Sequence, residues 1–78
     1  MDINVFVANF AAQMEEIDPS LVTAQTNFHE IDEWSSLSAL TIIAMVDDEY
    51  GVKITGDEIR NSQTVEDIFN IVKAKKNV

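Results

Sequence analysis

Apolar residues recur at spacings of three and four in three stretches of this chain, and polar stretches separate them. Ile3, Phe6, Val7, Phe10, Met14 and Ile17 form the first stripe, which predicts a helix from about residue 3 to 16. Asp2 is its expected N-cap. Asp18-Pro19 ends the run, since a residue before proline is pushed out of the α region. A long connection rich in Ser, Thr, Asn and acids follows to about residue 35, with Leu21, Val22, Phe28 and Ile31 as apolar anchors.

The helical pattern returns from Ser36 to Tyr50, where Leu37, Leu40, Ile43, Val46 and Tyr50 share a stripe with Ile42 beside it. Gly51 is the expected left-handed residue past the helix end, with Val52 folding back toward Val46. Thr55 and Glu58 make a capping-box pattern that starts a short helix carrying Ile59. Thr64-Val65-Glu66-Asp67 starts the last helix in a similar way. Its face is Val65, Ile68, Phe69, Ile71 and Val72, and Lys73, Lys75 and Lys76 complement its negative end. Val52-Lys53-Ile54 alternates but is too short to pair alone. The expected architecture is all-α: a small four-helix bundle of three main helices and one short one, with a long loop between the first two. The faces Phe6/Phe10/Met14, Leu40/Ile43/Val46/Tyr50 and Ile68/Phe69/Val72 should converge on one core.

With 78 residues, one domain spanning 1–78 is the expectation, because a second core could not be closed with what remains after the first. Cysteine is absent, which rules out disulfides, thiolate metal sites and a cysteine nucleophile. A hydrophobic content of 46% argues against disorder despite a net charge of −9. Residues 1–52 hold ten acids and no lysine or arginine, and residues 53–78 hold all five bases and four acids, giving −10 and +1. Nucleic acid and anionic membrane would be repelled, whereas a basic protein surface would be complementary. No apolar run is long enough to span a membrane and the Met-Asp-Ile-Asn start lacks a signal peptide's basic residues, so a cytoplasmic setting is expected.

Enzymatic chemistry finds little footing. His29 is the single histidine, in a polar loop with no partner at an evident spacing, and solvent exposure is its ordinary fate. Asp47-Asp48-Glu49 reads as a solvated helix face. Asp47, Ile54 and Glu58 fall at positions one, eight and twelve of an EF-hand loop, yet position six is Val52 where glycine is needed, so a helix end plus a cap explains them better. Trp34-Ser35-Ser36-Leu37-Ser38 is more informative, because it places serines where the long loop meets the acidic helix. A serine there can be a cap, or it can bear a phosphate that the free N–H groups and the positive end of the helix dipole favour. Position alone leaves both uses open.

The stretch from Phe28 to Tyr50, followed by Gly51-Val52-Lys53-Ile54, resembles the acyl carrier protein family, in which an Asp-Ser-Leu motif opens an acidic second helix ending in a Glu-Tyr/Phe-Gly pattern. The likeness covers about seventy residues and includes the loop before the serine and Thr64-Val65-Glu66-Asp67 at the last helix. It implies that Ser36, directly before Leu37, carries 4′-phosphopantetheine through a phosphodiester, and that the arm's thiol holds acyl or aminoacyl cargo as a thioester. The carrier itself would catalyse nothing. Its partners would be a phosphopantetheinyl transferase and acyl-transferring or acyl-activating enzymes with basic docking surfaces, in fatty acid, polyketide or nonribosomal peptide biosynthesis. It would act on them as a monomer. Glu33, Asp47 and Asp48 would steer those partners, with Leu37, Ala44 and Met45 as short-range apolar contacts, although Leu37 also fits the bundle core. Trp34 would pack over the start of the second helix. Ser35 stands where the family has an aspartate, and Ser38 and Thr41 where acids are frequent, so charges that help dock the modifying enzyme are missing. The alternative function is an unmodified carrier fold acting as an acidic protein-interaction module.

Overall fold

The computed structural model describes residues 2–15 and 17–76. It contains α1 (Ile3–Ala12), α2 (Ser36–Tyr50), α3 (Gly56–Asn61) and α4 (Val65–Lys76), with single 3₁₀ turns at Pro19–Leu21 and Phe28–Glu30. The all-α bundle and its long first connection are as the sequence predicts. Among the described residues the only β feature is an isolated antiparallel bridge between Asn27 and Thr64. No described helix is long and apolar enough to cross a membrane.

Local chemistry accounts for each helix boundary. Asp2 caps α1 by accepting the Asn4 N–H at 2.8 Å. The first helix is shorter than expected, since the backbone tightens to i→i−3 bonds at Gln13 and Met14. The Asn9 carbonyl, which an α-helical Gln13 N–H would take, instead accepts from the Gln13 side-chain amide at 3.2 Å. Glu16, which the sequence puts in this helix, lies outside the described residues. Asp18 caps the following turn, with Pro19 at its first position. Its carboxyl is held below the usual range chiefly by the Ser20 backbone N–H.

At the end of α2, Gly51 adopts φ 66°, the left-handed conformation that glycine takes without a Cβ penalty. Both later capping boxes form. Thr55 and Glu58 bond reciprocally at 2.9 and 3.1 Å, while Asp67 accepts from the Gln63 and Thr64 N–H groups and Thr64 Oγ1 accepts from the Asp67 N–H. Those backbone donors, Thr64 foremost, hold the Asp67 carboxyl below its ordinary range.

The core is built from Phe6 and Phe10 of α1, Phe28 of the loop, Ile42 and Val46 of α2, Ile59 of α3, and Val65, Ile68 and Val72 of α4, all essentially without solvent contact. Here the stripe expected for α2 needs correction. Leu40 is 62% exposed and Ile43 half-buried, while Ile42, Met45 and Val46 face inward. Because α2 is apolar on most of its circumference, periodicity did not select the buried face; packing against α1 and α4 did. The terminal lysines also differ from expectation. Rather than complementing only their own helix end, Lys76 donates to the Tyr50 carbonyl and Lys75 to the Lys53 carbonyl and the Glu58 carboxylate, which ties α4 to the α2–α3 connection.

Candidate functional site

The three serines at the start of α2 have different jobs. Ser35 is the N-cap: its hydroxyl accepts the Ser38 N–H at 3.4 Å, and Ser38 Oγ accepts the Ser35 N–H at 3.2 Å. Ser38 Oγ also donates to the Glu33 carbonyl at 3.5 Å. Two hydroxyls are thus occupied in fastening the loop to the helix. Ser36, at the first helical position, is exposed, and its hydroxyl enters none of the hydrogen bonds among the described residues. The Ser36 and Leu37 N–H groups are likewise outside the cap bonds.

The electrostatics at this turn are unusual for so acidic a chain. No carboxylate lies in the first turn of α2, whereas α3 opens with Asp57 and Glu58 and α4 with Glu66 and Asp67. The positive end of the α2 dipole is therefore left without an acid from its own first turn, a setting that suits a phosphate ester on Ser36. Behind it the loop is braced by aromatic rings. Trp34 stacks on Phe10 with centroids 6.0 Å apart and planes within 3°, and packs on Phe28 at 4.7 Å. His29 lies in the same cluster, and its Nε2 sits 2.8 Å from the Ser62 carbonyl, which accepts, so the ring proton is on Nε2. The histidine is an exposed structural tie between loop and α3.

Of the residues expected to meet partners, Glu33, Leu37, Ala44, Asp47 and Asp48 are all exposed, with Leu37 at 72%. Met45 is not: it is 5% exposed and belongs to the core, so its place among the surface contacts is withdrawn. An i→i+3 step from Ile42 turns Met45 inward, while Ala44 is left on the outer side with Leu37, two helical turns away. Asp47 bonds Lys53 at 3.3 Å, an exposed pair.

Two grooves flank the first turns of α2. The α1-side groove is lined by Met14, Glu15, Ile17, Glu33, Leu37 and Thr41. The α3-side groove is lined by Trp34, Ser36, Leu40, Ile43, Ile59 and Arg60, among others. Sequence reading missed Leu40 and Arg60 here. The one available signal was that Leu40 lies on an already crowded helix, and nothing local could place Arg60 in the same groove as Ser36.

The geometry is that of a small helical unit presenting one free serine at the head of an exposed helix. A family model described as a phosphopantetheine attachment site matches residues 6–72 of it. Similar proteins include the meromycolate extension acyl carrier protein of Mycolicibacterium aurum, 35% identical over 70 residues that cover 86% of this chain and 72% of the relative. The acyl carrier protein of Thermosynechococcus vestitus is 28% identical over 69 residues, 88% of this chain and 85% of the relative. The meromycolate extension acyl carrier protein of Mycobacterium leprae is 28% identical over 67 residues; the match takes in 86% of this chain but 58% of that protein's length. The chain belongs to the acyl carrier protein family, and 4′-phosphopantetheine is the group that its attachment-site domain takes.

Proposed function

We propose that this chain is a carrier that holds acyl or aminoacyl groups as thioesters on a 4′-phosphopantetheine arm joined to Ser36, and presents them to enzymes with basic docking surfaces. The observation that carries this reading is the division of labour among the serines: Ser36 is exposed with a free hydroxyl while Ser35 and Ser38 are engaged in the cap. The residues present fit the group. Ser36 Oγ would be the point of attachment, and the Ser36 and Leu37 N–H groups, with the dipole of α2 behind them, would face the phosphodiester. The bound arm supplies the thiol that a chain without cysteine lacks. Leu37 and Ala44 offer short-range apolar contact, and Glu33, Asp47 and Asp48 favour approach of a basic surface. Residues 1–78 would act as one such unit.

The test is modification by a promiscuous phosphopantetheinyl transferase with coenzyme A, read by intact mass. The parent should gain one arm and Ser36→Ala none. Ser35→Ala should still be modified although its lost cap costs about 1 kcal/mol of stability. Ser35→Asp should be modified several-fold faster, since one favourable charge contact at an exposed interface is worth roughly 1 kcal/mol. If neither the parent nor Ser35→Asp accepts the group while both remain folded and a control carrier is modified in the same tube, the reading is wrong and the chain is an acidic interaction module.

A further inference from the structure

The α3-side groove runs against the charge of the rest of the molecule. It has a volume of about 410 Å³, within the ~300–1,000 Å³ of small-molecule sites, and it begins at Ser36. Trp34, Ala39, Leu40, Ile43 and Ile59 make its walls largely apolar, and among the described residues no carboxylate lines it. In a chain of net charge −9, Arg60 is the one lysine or arginine among the described residues that line the two grooves by Ser36.

Arg60 is set up to receive one. Its side chain runs back along α3, with Nη1 3.6 Å from where a Cβ on Gly56 would stand, so glycine leaves that edge of the guanidinium uncovered. Asp57 meets Nη2 through one oxygen, in an exposed i,i+3 pair of the kind that contributes little and exchanges readily with other carboxylates. A guanidinium presents five N–H donors in a planar fork, so a second carboxylate has donors to meet.

We propose that Arg60 is a specificity-determining residue for the cargo, selecting acyl groups that end in a carboxylate, that is, dicarboxylic acids held as monothioesters, over neutral acyl groups of the same length. This rests on the carrier reading above. The apolar walls cover the methylenes of such a group, and the exposed guanidinium meets its charged end with a planar set of N–H donors. Elsewhere near Ser36 the surface is acidic and repels it. A neutral acyl group has the walls but nothing to bond.

The experiment loads the full chain from adipyl-coenzyme A or hexanoyl-coenzyme A, which differ in the terminal carboxylate, and measures thioester cleavage by hydroxylamine. Each rate is divided by that of the same acyl group on coenzyme A, which removes intrinsic reactivity. Adipyl should be protected roughly three- to fivefold more than hexanoyl at low salt, the scale of one exposed charge pair. Moderate sodium chloride should shrink the difference. Arg60→Gln should abolish it, Arg60→Lys should keep part of it, and the Arg60 Nε–Hε resonance should shift in the adipyl form alone. Equal protection of the two cargoes, or a preference that survives Arg60→Gln, overturns the assignment of Arg60 and leaves the carrier intact. An equal shift of the Arg60 resonance by both cargoes also overturns it, assigning the guanidinium to the arm. Failure of the parent to load at all is a different result: it overturns the carrier reading and this inference with it.

Discussion

The grooves on either side of Ser36 share the opening turn of α2 and differ in charge. Toward α1, Glu15 and Glu33 line the groove together with Met14, Ile17 and Leu37, and among the described residues no lysine or arginine lines it. Toward α3 the lining is more apolar, and the charge is Arg60. The cause lies in the chain itself. Every lysine and arginine follows residue 52, so only surfaces built with the connection after α2, α3 or α4 can turn positive. One serine therefore stands between a groove lined by carboxylates and a groove lined by a guanidinium.

The largest effect should come from removing what both grooves lean on. Phe10 is fully buried, supports Trp34 on the α3 side, and belongs to the helix whose end forms the α1 side. Phe10→Ala should cost about 3–5 kcal/mol, a large share of the ~5–15 kcal/mol that holds a domain together. Urea unfolding measures it, and a loss below about 1 kcal/mol would show that the aromatic cluster is not the common support.

A middle-sized effect should come from discharging one side only. Glu15→Gln combined with Glu33→Gln should slow loading by a basic transferase roughly fivefold at low salt, with the deficit fading as salt is added. Unchanged loading rates across that range would remove the α1-side groove from docking.

The smallest effect concerns the wall that carries Arg60. The Glu58 carboxyl is held below its usual range, foremost by the hydrogen bond from Lys75 at 2.7 Å and also by the Thr55 N–H. A carboxylate whose folded pKa is depressed stabilises the fold fully above its unfolded value of about 4.3, and that contribution fades as pH falls through the lower folded value. Lys75→Met should move the Glu58 titration, followed by carboxyl NMR, back toward the ordinary range and leave stability at neutral pH only slightly reduced. A Glu58 titration unmoved by that substitution would mean that the Thr55 contacts alone set it.

What the sequence made legible was local. The Thr55/Glu58 and Thr64/Asp67 boxes and the left-handed Gly51 are written in four or fewer adjacent residues, and each appears where expected. The early end of α1 was hidden because it depends on which donor reaches the Asn9 carbonyl. The buried face of α2 was hidden because nearly every face is apolar, which is how Met45 was placed outside and Leu40 inside. Ser36 drew attention from its motif, but the free state of its hydroxyl rests on Ser35 and Ser38 bonding each other, which a list of three serines does not reveal. Arg60 lies 24 positions further along the chain, and only the fold brings it to the same groove.

The long loop is fastened at its middle by a contact whose effect is dynamic. The first N–H groups of α4, on Val65 and Glu66, donate to the Thr26 and Ala24 carbonyls at 3.2 and 2.9 Å. Lifting the loop therefore strips α4 of its opening partners, and the two segments should open as one cooperative unit. In hydrogen exchange, the Val65 and Glu66 amides become reporters for a loop that lies forty residues earlier in the chain.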